Sequence, residues 1–427
     1  MGQLKQSLGD VDWRHGRGWS LVYFGGDEHA EFLKAVYGLF FAENGLSASA
    51  FPTLRKFESE VIAMMRDLLR GDDEVGGTMT SGGTESILLA MKTYRDQARS
   101  QQPEIRQPEI LLPESAHPAF LKAAQYFDLK TIAVPLDAGC RSDLDALSGL
   151  ITGSTICIVA SAPCYPHGVV DHIPEIAAIA RRAGVGLHVD ACLGGFLLPF
   201  MRELGTGVTD FDFAVPGVTS ISADLHKNGY AAKGASAVLY RGAALRRHQY
   251  FVSADWPGGL YASPTMLGTR PGGAIAAAWA AMVSLGREGY RELTRQTLAV
   301  TAKLTEEISA IPELSVLGRP EVNVVRAGSD TLDIFAVADE MEKQGWRMDR
   351  QSGPDCLHHI VTPNHAQAVD AYVRDLRQAA IRVKSKPPGQ HVGARPALYG
   401  VTGQIIAGSD ADALMRDGLD QLYNPKT

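Results

Sequence analysis

Between about residue 78 and residue 240, short apolar runs alternate with segments of helical periodicity. The apolar runs, which are candidate buried strands, cover 109–112, 129–135, 155–160, 186–189 and 235–240. The helical segments cover 87–98, 118–127 and 173–183. Strand–helix alternation of this kind predicts a mainly parallel sheet with helices on both faces, which places the chain in the α/β class.

The pattern changes after residue 290, where a long helix is predicted over 290–311. Short strand candidates follow at 314–316, 322–325 and 359–361. We therefore predict a large domain over 56–290 and a smaller α+β domain over 291–427, a division that suits a chain of 427 residues. Residues 1–55 are rich in Gly and aromatic residues and show little regular pattern, so they are predicted to wrap around another surface.

Charge and composition exclude several classes of protein. The formal net charge is −7 and there is no long basic run, which argues against non-specific nucleic-acid binding. Residues 1–17 lack a hydrophobic signal core, and no apolar stretch approaches the roughly 20 residues that span a bilayer. The five cysteines are scattered, without a C-x-x-C pair, and no metal-site spacing is visible. We expect a soluble, cytoplasmic protein with free thiols and no metal. Export into a host cell is not readable from the sequence.

Three chemically distinct features fall at strand–helix or strand–loop junctions, where α/β sheets bind ligands. The run 222–233 (SADLHKNGYAAK), just past the β-rich stretch 215–221, places Lys227 directly after His226. Further upstream, Asp190 directly follows the strand candidate at 186–189. A glycine-rich segment, 81–84 (SGGT), begins a helix. A lysine that forms an imine, an acid that keeps a pyridine ring protonated, and a helix N-terminus that binds phosphate together predict pyridoxal 5'-phosphate (PLP) as cofactor.

Each of these features has a simpler interpretation when taken alone. Lys227 could be a surface lysine, and Asp190 could be a loop cap or a metal ligand. The segment 81–84 could be an ordinary helix cap. His117, which follows the strand candidate at 109–112, could stack on a pyridine ring or simply begin a helix. Their occurrence together, with Lys227 37 positions after Asp190, favours the cofactor site.

With these residues in view, the chain resembles the sphingosine-1-phosphate lyases, a group of the PLP-dependent group II decarboxylases of fold type I. The matching words lie at 51–56, 80–89, 115–117, 166–169, 188–197, 217–233, 261–265 and 270–273. They cover most of residues 20–290. The resemblance implies a seven-stranded, mainly parallel sheet between helices and a homodimer with shared active sites. Eukaryotic relatives carry a membrane anchor before this region, so we expect a soluble, bacterial-type enzyme.

The resemblance also implies roles for the cofactor-site residues. Lys227 matches the Schiff-base lysine, Asp190 the partner of the pyridine nitrogen, and His117 the histidine that stacks on the ring. Gly83, Thr84 and His226 match contacts to the cofactor phosphate. Ser81 and Gly82, from the same glycine-rich loop, are also expected to bind the cofactor. Thr269, with Arg270 beside it, is expected to reach the cofactor site of the partner subunit.

On the substrate side, the resemblance implies that Lys233 binds the substrate phosphate, together with Tyr23 and His117. Tyr165 lies where the family has an aromatic residue beside the bond that breaks, so Tyr165 and Tyr23 are the candidate catalytic bases. The resemblance thus predicts retro-aldol cleavage of a phosphorylated long-chain base between C2 and C3. The products would be a fatty aldehyde and phosphoethanolamine.

Three positions depart from the family pattern. Ser47 stands where a histidine often precedes the Phe-Pro word, Asn228 replaces the tyrosine that often follows the imine lysine, and Ala232 replaces the usual proline before Lys233. Loss of the histidine removes one positive group from the expected phosphate site. These departures bear on the native substrate and leave the PLP chemistry unaffected.

Two other functions stay open at this point. An amino-acid decarboxylase on the same scaffold would have the same cofactor pocket. A decarboxylase, however, must hold a carboxylate perpendicular to the ring, whereas this chain offers Lys233 for a phosphate. A non-catalytic nucleotide-binding or scaffolding protein would use the glycines at 82–83 for a nucleotide phosphate and would leave Lys227 without a chemical role.

Overall fold

Seven strands form the central sheet in a computed structural model that describes residues 10–20, 22–47, 49–385 and 411–423. In chain order they are β1 (Val75–Thr80), β2 (Glu109–Pro113), β3 (Lys130–Val134), β4 (Thr155–Ser161), β5 (Gly186–Asp190), β6 (Ser220–Ala223) and β7 (Ser236–Arg241). Their order across the sheet is β1-β7-β6-β5-β4-β2-β3. Strand β7 runs in the direction opposite to that of the other six strands of this sheet. The predicted α/β class and mainly parallel seven-stranded sheet are confirmed.

Strand β1 is an element that the apolar pattern did not predict, because its glycines dilute the strand signal. The structure explains why a glycine is needed: a Cβ on Gly77 would lie 2.2 Å from the carbonyl oxygen of Val238 on β7. The glycine therefore allows β1 to approach β7 closely enough to pair with it.

Helices cover the sheet, and the three that were predicted within it, at 87–98, 118–127 and 173–183, have bounds close to those expected. They are α1 (Asp27–Leu39), α2 (Pro52–Leu68), α3 (Gly83–Gln101), α4 (Ala119–Phe127), α5 (Leu144–Leu150), α6 (Ile173–Ala183), α7 (Leu198–Glu203), α8 (Ala243–Arg246) and α9 (Gly272–Ser309). A hairpin of β8 (Phe251–Ser253) and β9 (Tyr261–Ser263) lies between α8 and α9. Helix α1 corrects the expectation that residues 1–55 are irregular. Helix α9 begins well before the predicted residue 290, and its backbone leaves the helical conformation at Gly286.

Helix α3 is fixed to the sheet by buried hydroxyl groups as well as by its apolar face. The Tyr94 hydroxyl lies 2.6 Å from the hydroxyl oxygen of Ser220 on β6. Near the start of the helix, the Ser86 hydroxyl lies 2.7 Å from that of Thr80 and 2.9 Å from that of Ser236. Because these contacts reach β1, β6 and β7, they hold the N-terminus of α3 at a defined place above the strand ends.

A second sheet has four strands: β10 (Ser315–Val316), β11 (Val324–Gly328), β12 (Asp349–Gln351) and β13 (Cys356–Ile360). They are antiparallel in the order β10-β11-β13-β12. The helices α10 (Ile334–Glu342), α11 (Val369–Lys384) and α12 (Ala411–Tyr423) accompany them. This is the smaller α+β arrangement that the sequence predicted for the C-terminal part.

The contacts divide the chain into two compact units along other lines than the sequence did. One unit is Tyr23–Gln296; the other joins the described residues before Tyr23 to those from Thr297 onward. Trp19 shows the reason, since its fully buried indole stacks on the His365 ring with centroids 4.1 Å apart. Our three-part division into 1–55, 56–290 and 291–427 remains a proposal about folding units. Within the described ranges, none of the helices has the length and apolar character needed to cross a membrane.

Candidate active site

The carboxyl ends of three neighbouring parallel strands form the floor of the site. Ser161 at the end of β4 is in register with Asp190 at the end of β5, and Asp190 is in register with Ser222 on β6. Because parallel strands end at the same edge, the acid and the loop that carries Lys227 start side by side, although Lys227 lies 37 positions after Asp190 in sequence.

Asp190 is a buried carboxylate with a fixed orientation. Its residue is 8% exposed, and its Oδ1 accepts hydrogen bonds from the Cys192 backbone N–H at 3.1 Å and from the Ser222 hydroxyl at 3.2 Å. A buried carboxylate stabilises a cationic group placed against it. Asp190 is thus suited to keep a ring nitrogen protonated.

Lys227 lies in the loop after β6, and its Nζ forms an ion pair with Oδ2 of Asp224 at 3.0 Å. The side chain is 25% exposed, so most of it is removed from water. Burial alone would lower the pKa of Lys227, but neighbouring groups, Asp224 above all, hold its pKa well above the usual value. The other contributors are Cys192, Tyr23 and Asp190. Lys227 and Asp190 therefore share one electrostatic neighbourhood.

Asp224 is the site residue that the sequence analysis missed. Its side chain is 1% exposed and faces both Lys227 and the Nε2 atom of His226, the latter at 3.6 Å. Burial opposes its charge, yet Lys227 and His226 keep the pKa of Asp224 below its usual value. The available signal was its position three residues before Lys227, within the same motif.

The glycine-rich segment forms the start of α3, as predicted. The first N–H groups of a helix have no intrahelical partner, and in α3 these belong to Gly83 and Thr84. A Cβ on Gly83 would lie 2.8 Å from Cys192 Sγ and 2.9 Å from both carboxylate oxygens of Asp224, so only glycine fits there. Gly82 lies beside the His226 ring, since a Cβ there would be 3.5 Å from Cε1.

Glu85 is a second residue that the sequence analysis did not single out. Its carboxylate accepts hydrogen bonds from the backbone N–H groups of Ser81 at 2.6 Å and Met266 at 2.9 Å. It thereby ties the segment before Thr269 to the glycine loop. Because the Ser81 amide is already engaged, the exposed side chain of Ser81 is the part of this residue that can meet a phosphate.

His226 and His117 are both held as neutral rings. Burial lowers the pKa of His226 to about 4, and its Nδ1 accepts a hydrogen bond from the Ala235 N–H at 3.2 Å. Burial also lowers the pKa of His117, although Asp190 opposes the shift. The His117 Nδ1 accepts from the Ala119 N–H at 3.1 Å. A neutral, fixed aromatic ring at His117 can stack on a pyridine ring.

Lys233 and Tyr23 meet at the side of the site. The Lys233 Nζ lies 5.3 Å from the centre of the Tyr23 ring and donates a hydrogen bond to the His226 carbonyl at 3.3 Å. Lys233 reaches solvent, but protein atoms surround its amine. This desolvation, together with the charge of Lys227, lowers the pKa of Lys233 to about 8.

Two predicted site residues are placed by their elements alone. Tyr165 is half-buried in the turn after β4, beside the strand that ends in Asp190. Thr269 is exposed, and its hydroxyl accepts a hydrogen bond from the Asn44 side-chain amide at 3.3 Å. The roles of Tyr165 as a base and of Thr269 at a partner's cofactor remain predictions.

The departures from the family pattern have structural descriptions. Ser47 is exposed, and its carbonyl accepts the Phe51 N–H at 2.9 Å. Asn228 is buried and donates its side-chain amide to the Leu193 carbonyl at 2.8 Å, so it braces the loop that carries Lys227.

These groups fit PLP by their chemistry. A buried lysine beside an acid is suited to bond to the PLP aldehyde. Asp190 is suited to pair with the ring nitrogen, and His117 is suited to stack on the ring. A helix N-terminus that admits only glycine at position 83 matches the phosphate. In the part of the chain that the structure describes, no cluster of three or more His, Cys, Asp or Glu side chains could hold a metal ion.

The chain also matches known proteins over most of its length. Residues 30–326 match the pyridoxal-dependent decarboxylase conserved domain. Over 422 residues the chain is 43% identical to the sphingosine-1-phosphate lyase of Arabidopsis thaliana, which covers 97% of this chain and 77% of the plant protein.

Solved structures of known proteins also resemble this chain. The sphingosine-1-phosphate lyase of Burkholderia pseudomallei superposes with a TM-score of 0.87 at 37% identity, covering 99% of this chain and 92% of that one. The glutamate decarboxylase of Lactobacillus brevis, at 20% identity and a TM-score of 0.78 over 90% of this chain and 92% of its own, shares the fold.

The family match rules out the non-catalytic nucleotide-binding alternative, because the matched family is one of pyridoxal-dependent enzymes. The predicted cofactor, PLP, is confirmed on the same ground. By domain match, by identity and by fold, the chain belongs to the sphingosine-1-phosphate lyases within the pyridoxal-dependent decarboxylase family.

Proposed function

We propose that this enzyme cleaves a phosphorylated long-chain sphingoid base, of the sphingosine 1-phosphate type, into a fatty aldehyde and phosphoethanolamine. The observation that carries the proposal is Lys233, a cation held beside Tyr23 and in electrostatic reach of Lys227. An amine substrate that reacts at Lys227 can thus place a phosphate on Lys233. The relatives named for this reaction support the assignment.

The residues divide the chemical work among them. When bound, PLP supplies an aldehyde that bonds to amines and a ring that accepts the electrons of the breaking bond. Lys227 would provide the amine that anchors the cofactor, and Asp190 would hold a proton on the ring nitrogen. His117 would help to hold the ring.

The proton of the substrate hydroxyl needs an acceptor. Tyr23, beside Lys233, and Tyr165, in the turn after β4, are the two residues that we assign to this task as alternatives. A base must come within hydrogen-bond reach of the proton that it removes, directly or through one water. Tyr23 would act next to the substrate phosphate, and Tyr165 would act from the strand edge that carries Asp190.

Product identification tests the proposal against an amino-acid decarboxylase on the same scaffold. The purified holoenzyme is incubated with a phosphorylated long-chain base, its unphosphorylated counterpart and a set of amino acids. We expect phosphoethanolamine and a fatty aldehyde from the phosphorylated base. Carbon dioxide release from an amino acid, with no aldehyde from the phosphorylated base, would replace the lyase assignment with a decarboxylase.

Replacing Lys233 by Met should weaken binding of the phosphorylated substrate. A hydrogen bond to a charged group contributes about 1.5–3 kcal/mol, so we expect KM to rise by about 10- to 100-fold. Turnover at saturation should change little if this contact is equally strong in the ground state and in the transition state. Steady-state kinetics with the phosphorylated base measure both terms.

The same residue predicts a pH dependence. A phosphate monoester becomes a dianion above about pH 6, and Lys233 loses its charge as the pH rises through about 8. KM for the phosphorylated base should therefore be lowest between these values and should rise above them. The variant K233M should lose the rise on the alkaline side, while K122M, at an exposed lysine of α4, should keep it. If KM of K233M still rose with pH on the alkaline side as in the wild type, the assignment of Lys233 to the substrate phosphate would be contradicted.

We further propose that the enzyme is a homodimer in which Thr269 reaches the site of the partner subunit. Large apolar side chains on the β8–β9 hairpin support this, since Phe251, Val252, Trp256 and Leu260 are exposed in the single chain. Apolar groups in such number favour burial against another surface. Sedimentation equilibrium should give twice the mass of one chain, and a monomer at micromolar concentration would contradict the proposal.

A cytoplasmic location is also proposed. All five cysteines are free, and Cys157, Cys164, Cys192 and Cys356 are buried. Free thiols are typical of a reducing compartment. Fractionation of the source cells, with recovery of the activity outside the cytoplasm, would contradict this.

A further inference from the structure

Asp224 and Lys227 form a buried ion pair at the point where the cofactor aldehyde must react. The pair is short, 3.0 Å between Nζ and Oδ2, and the acid is almost fully removed from water. In such a pair each charge is stabilised by the other, and removal of one partner leaves the other charge uncompensated.

The acid is also held in place by its surroundings. Its carboxylate oxygens lie against Gly83, the first residue of α3, where the positive end of the helix dipole favours a negative charge. His226 approaches the same oxygen as Lys227. Asp224 is therefore fixed as an anion, and Lys227 is fixed by it.

We propose that Asp224 is a positioning residue that holds the Lys227 side chain as an ammonium ion in the cofactor-free protein and so sets the pH at which the enzyme takes up its cofactor. The inference rests on the proposed role of Lys227. It adds that the acid nearest to the amine is a separate residue from Asp190, the acid assigned to the ring.

The chemistry of uptake explains why the charge matters. The ammonium group must first release one proton to water, because only the neutral nitrogen has a lone pair that attacks an aldehyde carbon. A carbon–nitrogen bond then forms, and the aldehyde oxygen leaves as water. Below the pKa of the lysine, the reactive fraction rises tenfold for each pH unit.

Other charged and titratable groups also face Lys227, and the effect of Asp224 on the charge of Lys227 has to be distinguished from theirs. They are Asp190 from β5, Cys192 from the loop after it, Tyr23 from the N-terminal segment, His117 from the loop after β2, and His226 and Lys233 from its own loop. Asp224 is distinguished from them by its ion pair with Lys227, whose Nζ lies 3.0 Å from the Asp224 Oδ2. Burial opposes the charge of Lys227, so without Asp224 the balance should shift toward the neutral amine.

The test compares cofactor uptake by wild-type protein and by D224N, both stripped of cofactor. Uptake of PLP is followed by the absorbance change of the aldehyde over a range of pH. We expect D224N to load at least about tenfold faster near neutral pH, equivalent to one unit of pKa. Its rate should level off at a pH where the wild-type rate is still rising. A role in folding alone would change the amplitude or the affinity without moving this profile.

D171N is the matched control. Asp171 is a buried aspartate, 2% exposed, that accepts hydrogen bonds from the Ser142 and Ser161 backbone N–H groups. Its variant should keep the wild-type profile of uptake against pH. A D224N profile that coincides with the wild type, or that moves to higher pH, would overturn the proposal.

Borohydride reduction followed by peptide mapping distinguishes a failure of the proposed function from a failure of the role of Asp224. If the cofactor is fixed to a lysine other than Lys227, the proposed function fails with the inference. If it is fixed to Lys227 and the D224N profile does not move, only the role of Asp224 fails. Should D224N not fold, acylation of Lys227 in cofactor-free wild-type protein replaces it. The rate should then still rise beyond the ordinary lysine pKa of about 10.4, and a plateau below that pH would overturn the proposal.

Discussion

Replacing Lys227 by Ala should abolish covalent attachment of PLP and lower lyase turnover by at least about 1,000-fold. The reason is chemical, because alanine has no amine that could bond to the cofactor aldehyde. Borohydride reduction and mass measurement should show no cofactor fixed to the variant, and product assays should show the loss of turnover.

The substitution Lys227→Arg distinguishes the bonding of residue 227 to the cofactor aldehyde from its ion pair with Asp224. Arginine keeps a positive charge beside Asp224 but cannot form the bond to the aldehyde, since its guanidinium stays protonated. Both variants should therefore be inactive, whereas K130A, which removes an amine paired with Glu109 on the sheet surface, should be active. Activity in K227R at more than a tenth of the wild-type value would show that position 227 serves only as a charge.

Replacing Asp190 by Asn should lower turnover by at least about 100-fold, the scale seen when one electrostatic contact to a reacting group is removed. The amide oxygen of Asn can still accept from the Cys192 N–H and the Ser222 hydroxyl, so the strand end should keep its shape. What is lost is the negative charge that holds a proton on the ring nitrogen.

The cofactor should remain attached to D190N, which distinguishes this variant from K227A. Turnover is measured with the phosphorylated base, and attachment by borohydride reduction. The control is D171N, whose buried carboxylate lies on the loop before α6 and should tolerate the change with turnover near that of the wild type. Turnover in D190N within threefold of the wild type would contradict the role of Asp190.

Local pattern was sufficient for much of the fold and for part of the site. Alternating apolar runs and helical segments predicted the parallel part of the sheet, and β5 and α6 lie almost where they were expected. Asp190 stood out because a polar residue at the end of a buried strand must lie at the carboxyl edge of the sheet. Lys227 stood out because it directly follows a histidine just past a β-rich stretch. The phosphate loop stood out because paired glycines before a helix leave N–H groups open.

Other features depended on contacts that no local pattern contains. The apolar pattern did not predict β1, because the need for glycine at position 77 comes from the backbone of β7 across the sheet. The sequence did not indicate Asp224, because an acid close to a lysine in sequence usually forms an exposed ion pair with it. Asp224 is removed from water by the packing of α3 and Cys192 against its side chain. Residues before Tyr23 were assigned to a separate segment because the partner of Trp19 lies far away, at His365.

The sequence by itself determined the fold class, the alternation of strands and helices within residues 78–240, and the residue types that PLP chemistry requires, because periodicity and motif spacing act over short stretches of chain. Only the tertiary structure decided which acid pairs with Lys227 and which ring faces Lys233. Those choices depend on burial and on distances between segments far apart in sequence, and charge interactions become strong only when folding has excluded water from around them.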